Sequence, residues 1–197
     1  AKKINNIFIE VIIGKSFDKD AIKLLKKKKN LRIIDSSKFE LNQAMKFNSI
    51  DNYILVQNID KIKLTKKNFK VVSKKKPTKK QMENLMFAFN VCRFVKSNSI
   101  VLASDNSTVG IGSGQPSRID SCQIAINKMK SMKNIKDDIV AASDAFFPFV
   151  DGIQKLVQSG VSAIIQPHGS IRDKEIIKFA NQTNTVLIFS KTRHFNH

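Results

Sequence analysis

Three short apolar runs recur between residues 139 and 189: Ile139-Val140-Ala141-Ala142, Val161-Ser162-Ala163-Ile164-Ile165-Gln166 and Val186-Leu187-Ile188-Phe189. Each is too short for a helix. None alternates polar with apolar residues, so none reads as a strand with one wet face. Strands buried on both faces of a parallel sheet read this way. Between the runs lie helical patterns from Asp151 to Ser159, closed by Gly160 at C′, and from Asp173 to Asn181. Strands that alternate with helices need a helix layer on each face of the sheet.

The stretch before them fits the same architecture. Thr78-Lys79-Lys80-Gln81 is a capping box, with Thr78 as N-cap and Gln81 at N3. The helix it opens runs to about Lys96 and carries Met82, Leu85, Met86, Phe89 and Cys92 on one face. Ile100–Ala103, the turn Ser104–Ser107 and Thr108–Ile111 predict a hairpin, and a helix follows from about Ile119 to Lys130. A polar loop is expected over 132–138. Residues 78–197 therefore read as one three-layer α/β unit.

Residues 1–77 are less regular. Ile7–Ile13 predicts a strand buried on both faces, Asp18–Lys29 a helix and Leu31–Ile34 a strand, together a β-α-β unit. Ser36–Lys70 shows one clear strand, Tyr53–Gln57. The lysine-rich stretch to Lys76 reads as an exposed linker, with Pro77 marking the boundary. The first residue is Ala rather than Met, and the chain is expected to be a piece of a longer one.

The net charge of +19 raises the question of nucleic acid. The charge comes from thirty Lys and only five Arg, in a chain also rich in Ile and Asn, all residues of AT-rich codons. Lys is spread over nearly every surface segment, with blocks only at Lys26–Lys29 and Lys74–Lys76. No aromatic residues interleave with it as a stacking platform requires. This argues against nucleic acid as the main partner, while a phosphate-bearing small ligand would gain from the field. No run reaches membrane-spanning length and no signal peptide is visible. Cys92 and Cys122 stand alone, which predicts free thiols and a reducing, cytoplasmic setting.

The unusual turns follow strands, where α/β sheets build their sites. Ser143-Asp144-Ala145-Phe146-Phe147-Pro148-Phe149-Val150-Asp151-Gly152 places three aromatics, a proline and two acids in one turn. Three neighbouring rings cannot all enter one core, so at least one is expected to line a cleft. Asp144 and Asp151 could accept hydrogen bonds from a ligand's N–H groups. A core plug with a helix cap is the competing reading. Gly110-Ile111-Gly112-Ser113-Gly114-Gln115-Pro116-Ser117-Arg118 is either a loop that lets backbone approach a ligand or a tight turn; it matches neither the P-loop nor the dinucleotide spacing. Pro167-His168-Gly169-Ser170 is a third turn at a strand's end, and the tail Lys191–His197 is basic and rich in His.

These segments carry a resemblance. Ser143–Phe149, Ile165-Gln166-Pro167 with Gly169–Asp173, and Thr192-Arg193-His194-Phe195 with His197 resemble the C-terminal end of bifunctional purine biosynthesis proteins, which join AICAR transformylase to IMP cyclohydrolase. Val95–Ser99, Gly110–Gln115 with Ser117-Arg118, Phe8–Val11, Lys26–Arg32, Leu55–Gln57 and Lys76–Thr78 are similar to the same family in the same order. The resemblance covers essentially all 197 residues. It implies a cytidine-deaminase-like fold, with 78–197 the second of two transformylase units and 1–77 the end of the first plus a connector. It implies formyl transfer from 10-formyltetrahydrofolate, the co-substrate, to the 5-amino group of AICAR, giving FAICAR. Deaminase chemistry is not implied, since the H-x-E and P-C-x-x-C zinc set is absent.

By the same resemblance, Asn98, Arg118 and Arg193 are expected to contact the AICAR nucleotide, Arg193 at its phosphate. Phe146 is expected at the AICAR–folate junction, and Ile119, Asp151 and Ser170 on the folate side. The family's site is assembled across a homodimer, and a structural monovalent cation is implied near Val91, Ser97 and Asp144. The chain departs from the family in ways that matter. The catalytic Lys-His dipeptide of the first unit occurs nowhere in this sequence, and the cyclohydrolase domain is not in it. His168 stands where a small residue is usual, close to the folate side, and Asp51-Asn52-Tyr53 replaces a glycine-rich triplet. No catalytic residue is therefore assigned, and the chain is expected not to turn over alone. The alternatives are a non-catalytic binding module of the same fold and a basic nucleic-acid binder.

Overall fold

In the computed structural model, which describes residues 1–39, 44–132, 135 and 138–197, the chain divides into two compact units, Ala1–Ile59 and Asp60–His197.

In the first unit, β1 (Val11–Gly14) and β2 (Arg32–Asp35) pair in parallel across α1 (Lys19–Leu25), the expected β-α-β order. Leu25 is buried beneath the helix. The first strand starts later than the apolar run suggests. Ile7 and Phe8 precede it and are exposed, and Val11 and Ile13 are 47% and 65% exposed. A two-stranded sheet has too few neighbours to bury the residues that read as doubly covered. The hairpin of β3 (Met45–Ile50) and β4 (Tyr53–Asn58) turns at Asp51-Asn52, with Asp51 at φ 51°. The β3 strand is not evident in the sequence, where no Gly marks the turn.

In the second unit, every apolar run becomes a strand. The six-stranded sheet has the order β5 (Phe69–Val71), β10 (Val186–Ser190), β9 (Ala163–Pro167), β8 (Val140–Ser143), β6 (Ile100–Ser104), β7 (Ser107–Gly112). The pairings β10–β9 and β9–β8 are parallel, and the rest are antiparallel. The period-2 alternation of strand side chains splits the interior into two layers. Val101, Ala103, Val140, Ala142, Ala163, Ile165, Val186 and Ile188 pack under α2 (Lys79–Cys92). Ile100, Leu102, Ala141, Ile164 and Leu187 pack on the other face under α3 (Arg118–Ser131), α4 (Val150–Gln158) and α5 (Asp173–Gln182). This is the expected three-layer α/β unit.

The capping box at Thr78 is present: its side chain accepts from the Gln81 amide at 3.1 Å and its own amide donates to Gln81 Oε1 at 3.0 Å. The hairpin turn uses Asp105 and Asn106, both at positive φ. The compact units part at Ile59/Asp60 rather than at Pro77. Phe69–Val71, within the stretch read as linker, pairs with Val186–Ser190 and supplies the sheet's edge. Its alternation of Phe69, Lys70 and Val71 half-buries two side chains and leaves the lysine in water. Of the expected 132–138 loop, residues 133, 134, 136 and 137 lie outside the described residues.

Candidate functional site

The strand β8 ends at Ser143, Asp144 follows it, and both are consumed by structure. Asp144 is fully buried. Its carboxylate accepts from the Arg118 guanidinium and from Ser97 Oγ. Arg118, whose side chain is 9% exposed, also donates to Ser143 Oγ at 2.8 Å and to Asn98 Oδ1 at 2.7 Å. Asn98 Nδ2 in turn donates to the carbonyls of Gln115 and Pro116, each at 2.9 Å. Two charges taken from water are tolerated here because they pair and their remaining lone pairs are hydrogen-bonded. The reading of Asp144 as a ligand acceptor is thereby corrected: its oxygens hold the walls together from behind.

In front of this network lies a cavity of about 610 Å³. Its lining comes from four separate stretches: Asn98; Pro116–Ile119; Ala145–Phe149 with Asp151 and Gly152; and Arg193 with Phe195. The three aromatics of the turn divide as a turn must divide them. Phe147 is buried in the core. Phe146 is half-buried beneath Arg193, whose guanidinium carbon lies 5.0 Å from the ring centroid. Phe149 is exposed, with Arg172 stacked 4.8 Å above it. Gly152, in the first turn of α4, lies directly on the Phe147 ring, where a Cβ would stand 2.7 Å from ring carbons.

Of the expected residues, Asn98, Arg118, Ile119, Phe146, Asp151 and Arg193 line this one cavity. Asp151 is exposed, and one of its carboxylate oxygens accepts from the Gly152 amide at 2.7 Å. Ser170 is not in the lining. Its hydroxyl accepts from the amide of Arg172, the residue stacked on Phe149, at 3.2 Å. Gly169 (φ 112°) has a structural use, since a Cβ there would lie 3.1 Å from Arg193 Nη2.

The glycine string is neither of its two sequence readings in full. Gly110 and Gly112 lie on β7 against α3, where added Cβ atoms would stand 2.1 Å from the Ala125 carbonyl oxygen and 1.9 Å from that of Ser121. They let a helix approach a strand. Only Gly114 (φ 67°) serves the turn. His168 is exposed and lines a separate cavity of about 380 Å³ with Lys70, Val72, Asp173 and Lys191, outside the lining of the larger one.

Two features of the site have no local signal in the sequence. Phe195 joins Arg193 in the lining. His194, between them, is buried and its Nδ1 meets Asp60, 134 residues earlier. Burial pulls the His194 imidazole below its usual pKa, against the opposing pull of the Asp60 carboxylate. A hydrogen bond to a carboxylate, which only accepts, requires Nδ1 to carry the proton. Cys92 and Cys122 are buried free thiols, and burial pushes both pKa values up, that of Cys122 to about 12. For the implied cation, Ser97 Oγ and the Asp144 carboxylate converge, and the Val91 carbonyl accepts from the Phe94 amide at 2.9 Å. These are oxygen donors of the kind a monovalent cation takes, with Arg118 already balancing the carboxylate. Among the described residues no group of three or more His, Cys, Asp or Glu could hold a metal ion, and no helix is long and apolar enough to cross a membrane.

The AICARFT/IMPCHase bienzyme family model matches residues 1–128. Among curated proteins, the chain is 46% identical over 192 residues to the bifunctional purine biosynthesis protein PurH of Buchnera aphidicola subsp. Schizaphis graminum, covering 96% of this chain and 36% of that protein. It is 42% identical over 198 residues to PurH of Leptospira biflexa serovar Patoc (100% and 39%) and 44% identical over 199 residues to PurH of Persephonella marina (100% and 38%). The chain thus spans well under half the length of these curated relatives. Among solved structures, an apo dCMP deaminase from the cyanophage S-TIM5 covers 57% of this chain and 98% of its own at 13% identity. Its TM-score of 0.38 is too low to argue from.

Proposed function

The chain belongs to the AICARFT/IMPCHase bienzyme family, and from that premise we propose that it supplies the nucleotide- and folate-facing walls of an AICAR transformylase. The observation that carries this reading is convergence: six of the seven expected contact residues, from separate stretches of the chain, meet on one cavity. Arg193 offers a planar fork suited to a phosphate. Arg118 and Asn98, fixed by the Asp144 network, form the nucleotide wall. Phe146 stands at the junction with the 10-formyltetrahydrofolate site, which Asp151 and Ile119 line and which Ser170 flanks.

In the proposed reaction the 5-amino nitrogen of AICAR bonds to the formyl carbon, the bond from that carbon to the folate nitrogen breaks, the amine loses a proton and the departing folate nitrogen gains one, leaving tetrahydrofolate. This chain's part is to bind and orient. The cavity's cations, Arg118 and Arg193, are guanidinium groups, donors with no acceptor lone pair to take that proton. With no Lys-His dipeptide in the sequence, turnover by this chain alone is not expected. Cytoplasmic placement, a homodimeric whole and a cation held by Ser97 and Asp144 oxygens belong to the same proposal.

Isothermal titration of AICAR, with and without a folate analogue, tests it. Binding that is weakened by Arg193→Ala is expected. No binding at millimolar AICAR to a folded chain would overturn the reading. Affinity for duplex or single strands that falls steeply with log salt would point instead to nucleic acid.

A further inference from the structure

The tail after β10 crosses the end of the sheet as an extended strap, and its side chains alternate. Thr192 and His194 point inward, 9% and 1% exposed, while Arg193 and Phe195 line the cavity. The backbone is pinned along its length: the Lys191 amide donates to the Asn68 carbonyl, the His194 amide to the Asp144 carbonyl and the Ser97 amide to the Asn196 carbonyl, each at 3.0 Å. These bonds run to the backbone and do not by themselves choose which side chains face in. Two-residue periodicity means that a slip of one residue would exchange the two faces, burying Arg193 and expelling His194.

The His194 side chain makes the choice. Its ring packs on Phe89 at a centroid distance of 4.4 Å, and Phe89 meets Phe69 edge-on at 5.8 Å. Its Nδ1 meets the Asp60 carboxylate. Asp60 is itself a fixed post. Its other oxygen accepts from the Ile62 amide at 3.1 Å, and Arg93 donates to the Ile62 carbonyl at 2.9 Å. Neither His194 nor Asp60 lines the cavity.

We propose that His194, held by Asp60, is the positioning residue that sets the register of the strap and so aims Arg193 into the cavity. Its ligand consequence rests on the AICAR reading above. The contribution of His194 is confined to what Arg193 contributes, which is recognition of the phosphate.

The test titrates AICAR and its nucleoside, which lacks the phosphate, into the 197-residue chain and its variants. It also measures, without ligand, how fast trypsin cleaves after Arg193. The expected result is that His194→Ala and Asp60→Ala lower the preference for nucleotide over nucleoside about tenfold, to that of Arg193→Ala, because a charge-assisted phosphate contact is lost. Nucleoside affinity should stay within about twofold, as for a change outside the binding surface. Cleavage after Arg193 should accelerate in both variants, and His194→Asn, which keeps an N–H near the Nδ1 position, should recover the preference. Asp60→Ala, at a partly exposed side chain, keeps the test alive if His194→Ala fails to fold. An unchanged preference, or equal loss of both ligands, overturns the proposal. If the parent chain itself does not prefer the nucleotide, the AICAR reading fails. Cleavage then decides the strap alone: faster cutting in the variants upholds it, and equal cutting overturns it as well.

Discussion

Asp144→Ala strands the Arg118 guanidinium behind the cavity, with 9% of its side chain in water and Asn98 and Ser143 as its remaining partners. Removing one partner of a buried ion pair costs about 3–5 kcal/mol, because the survivor keeps its desolvation penalty without its counter-charge. For a chain of this length each kcal/mol moves the melting temperature by about 2–4 °C, so a fall of about 6–20 °C follows. Arg118→Met alone should cost a similar amount, since it leaves the carboxylate with Ser97 as its side-chain donor. The double variant removes both charges, and its cost should fall short of the sum of the singles by about 2–3 kcal/mol. Urea unfolding followed by far-UV circular dichroism reads this directly. There is no Trp, and the single tyrosine, Tyr53, sits in the other unit, whereas helical signal reports α2 to α5. A single-variant cost below about 1 kcal/mol, the range of a solvated surface pair, would refute the account, as would additive costs in the double variant.

Gly112→Ala drives a Cβ to within 1.9 Å of the Ser121 carbonyl oxygen. It should destabilise the second unit by about 3 kcal/mol or more in the same assay. Gly160→Ala, at φ 97° with open space around it, should cost only the backbone term of about 1–2 kcal/mol. Because burial lowers the His194 pKa, the unfolded chain takes up that proton first. Stability is fully present above the imidazole's ordinary value near 6.5 and falls as pH drops through the lowered folded value. A melting temperature that falls on acidification in the parent chain, and less steeply in His194→Asn, is the expected outcome. Both thiols should be inert to a thiol reagent at pH 8 in the native chain and react together when urea unfolds the second unit, since each is buried with its pKa raised.

What the sequence determines by itself is local. The three apolar runs, the Thr78–Gln81 box and the Asp105-Asn106 turn each specify their structure through neighbours a few residues away, so strands, caps and the three-layer order were legible. The motifs Ser143–Gly152 and Gly110–Arg118 could be marked as special for the same reason, and six of the seven family-matched residues do share a cavity. The assignment of each marked residue to packing or to ligand was not legible. Asp144 and Asp151 look alike in sequence, yet one is sealed against Arg118 and the other faces water. Gly110 and Gly112 read as loop glycines until α3 is laid across them. Phe69–Val71 is a lysine-bearing segment until Val186–Ser190 pairs with it, and His194 is one tail histidine of two until Asp60 reaches it. Those outcomes depend on which distant segment arrives opposite, and hence on burial and pairing energies that come into being only when the sheet closes; the tertiary structure alone decided them.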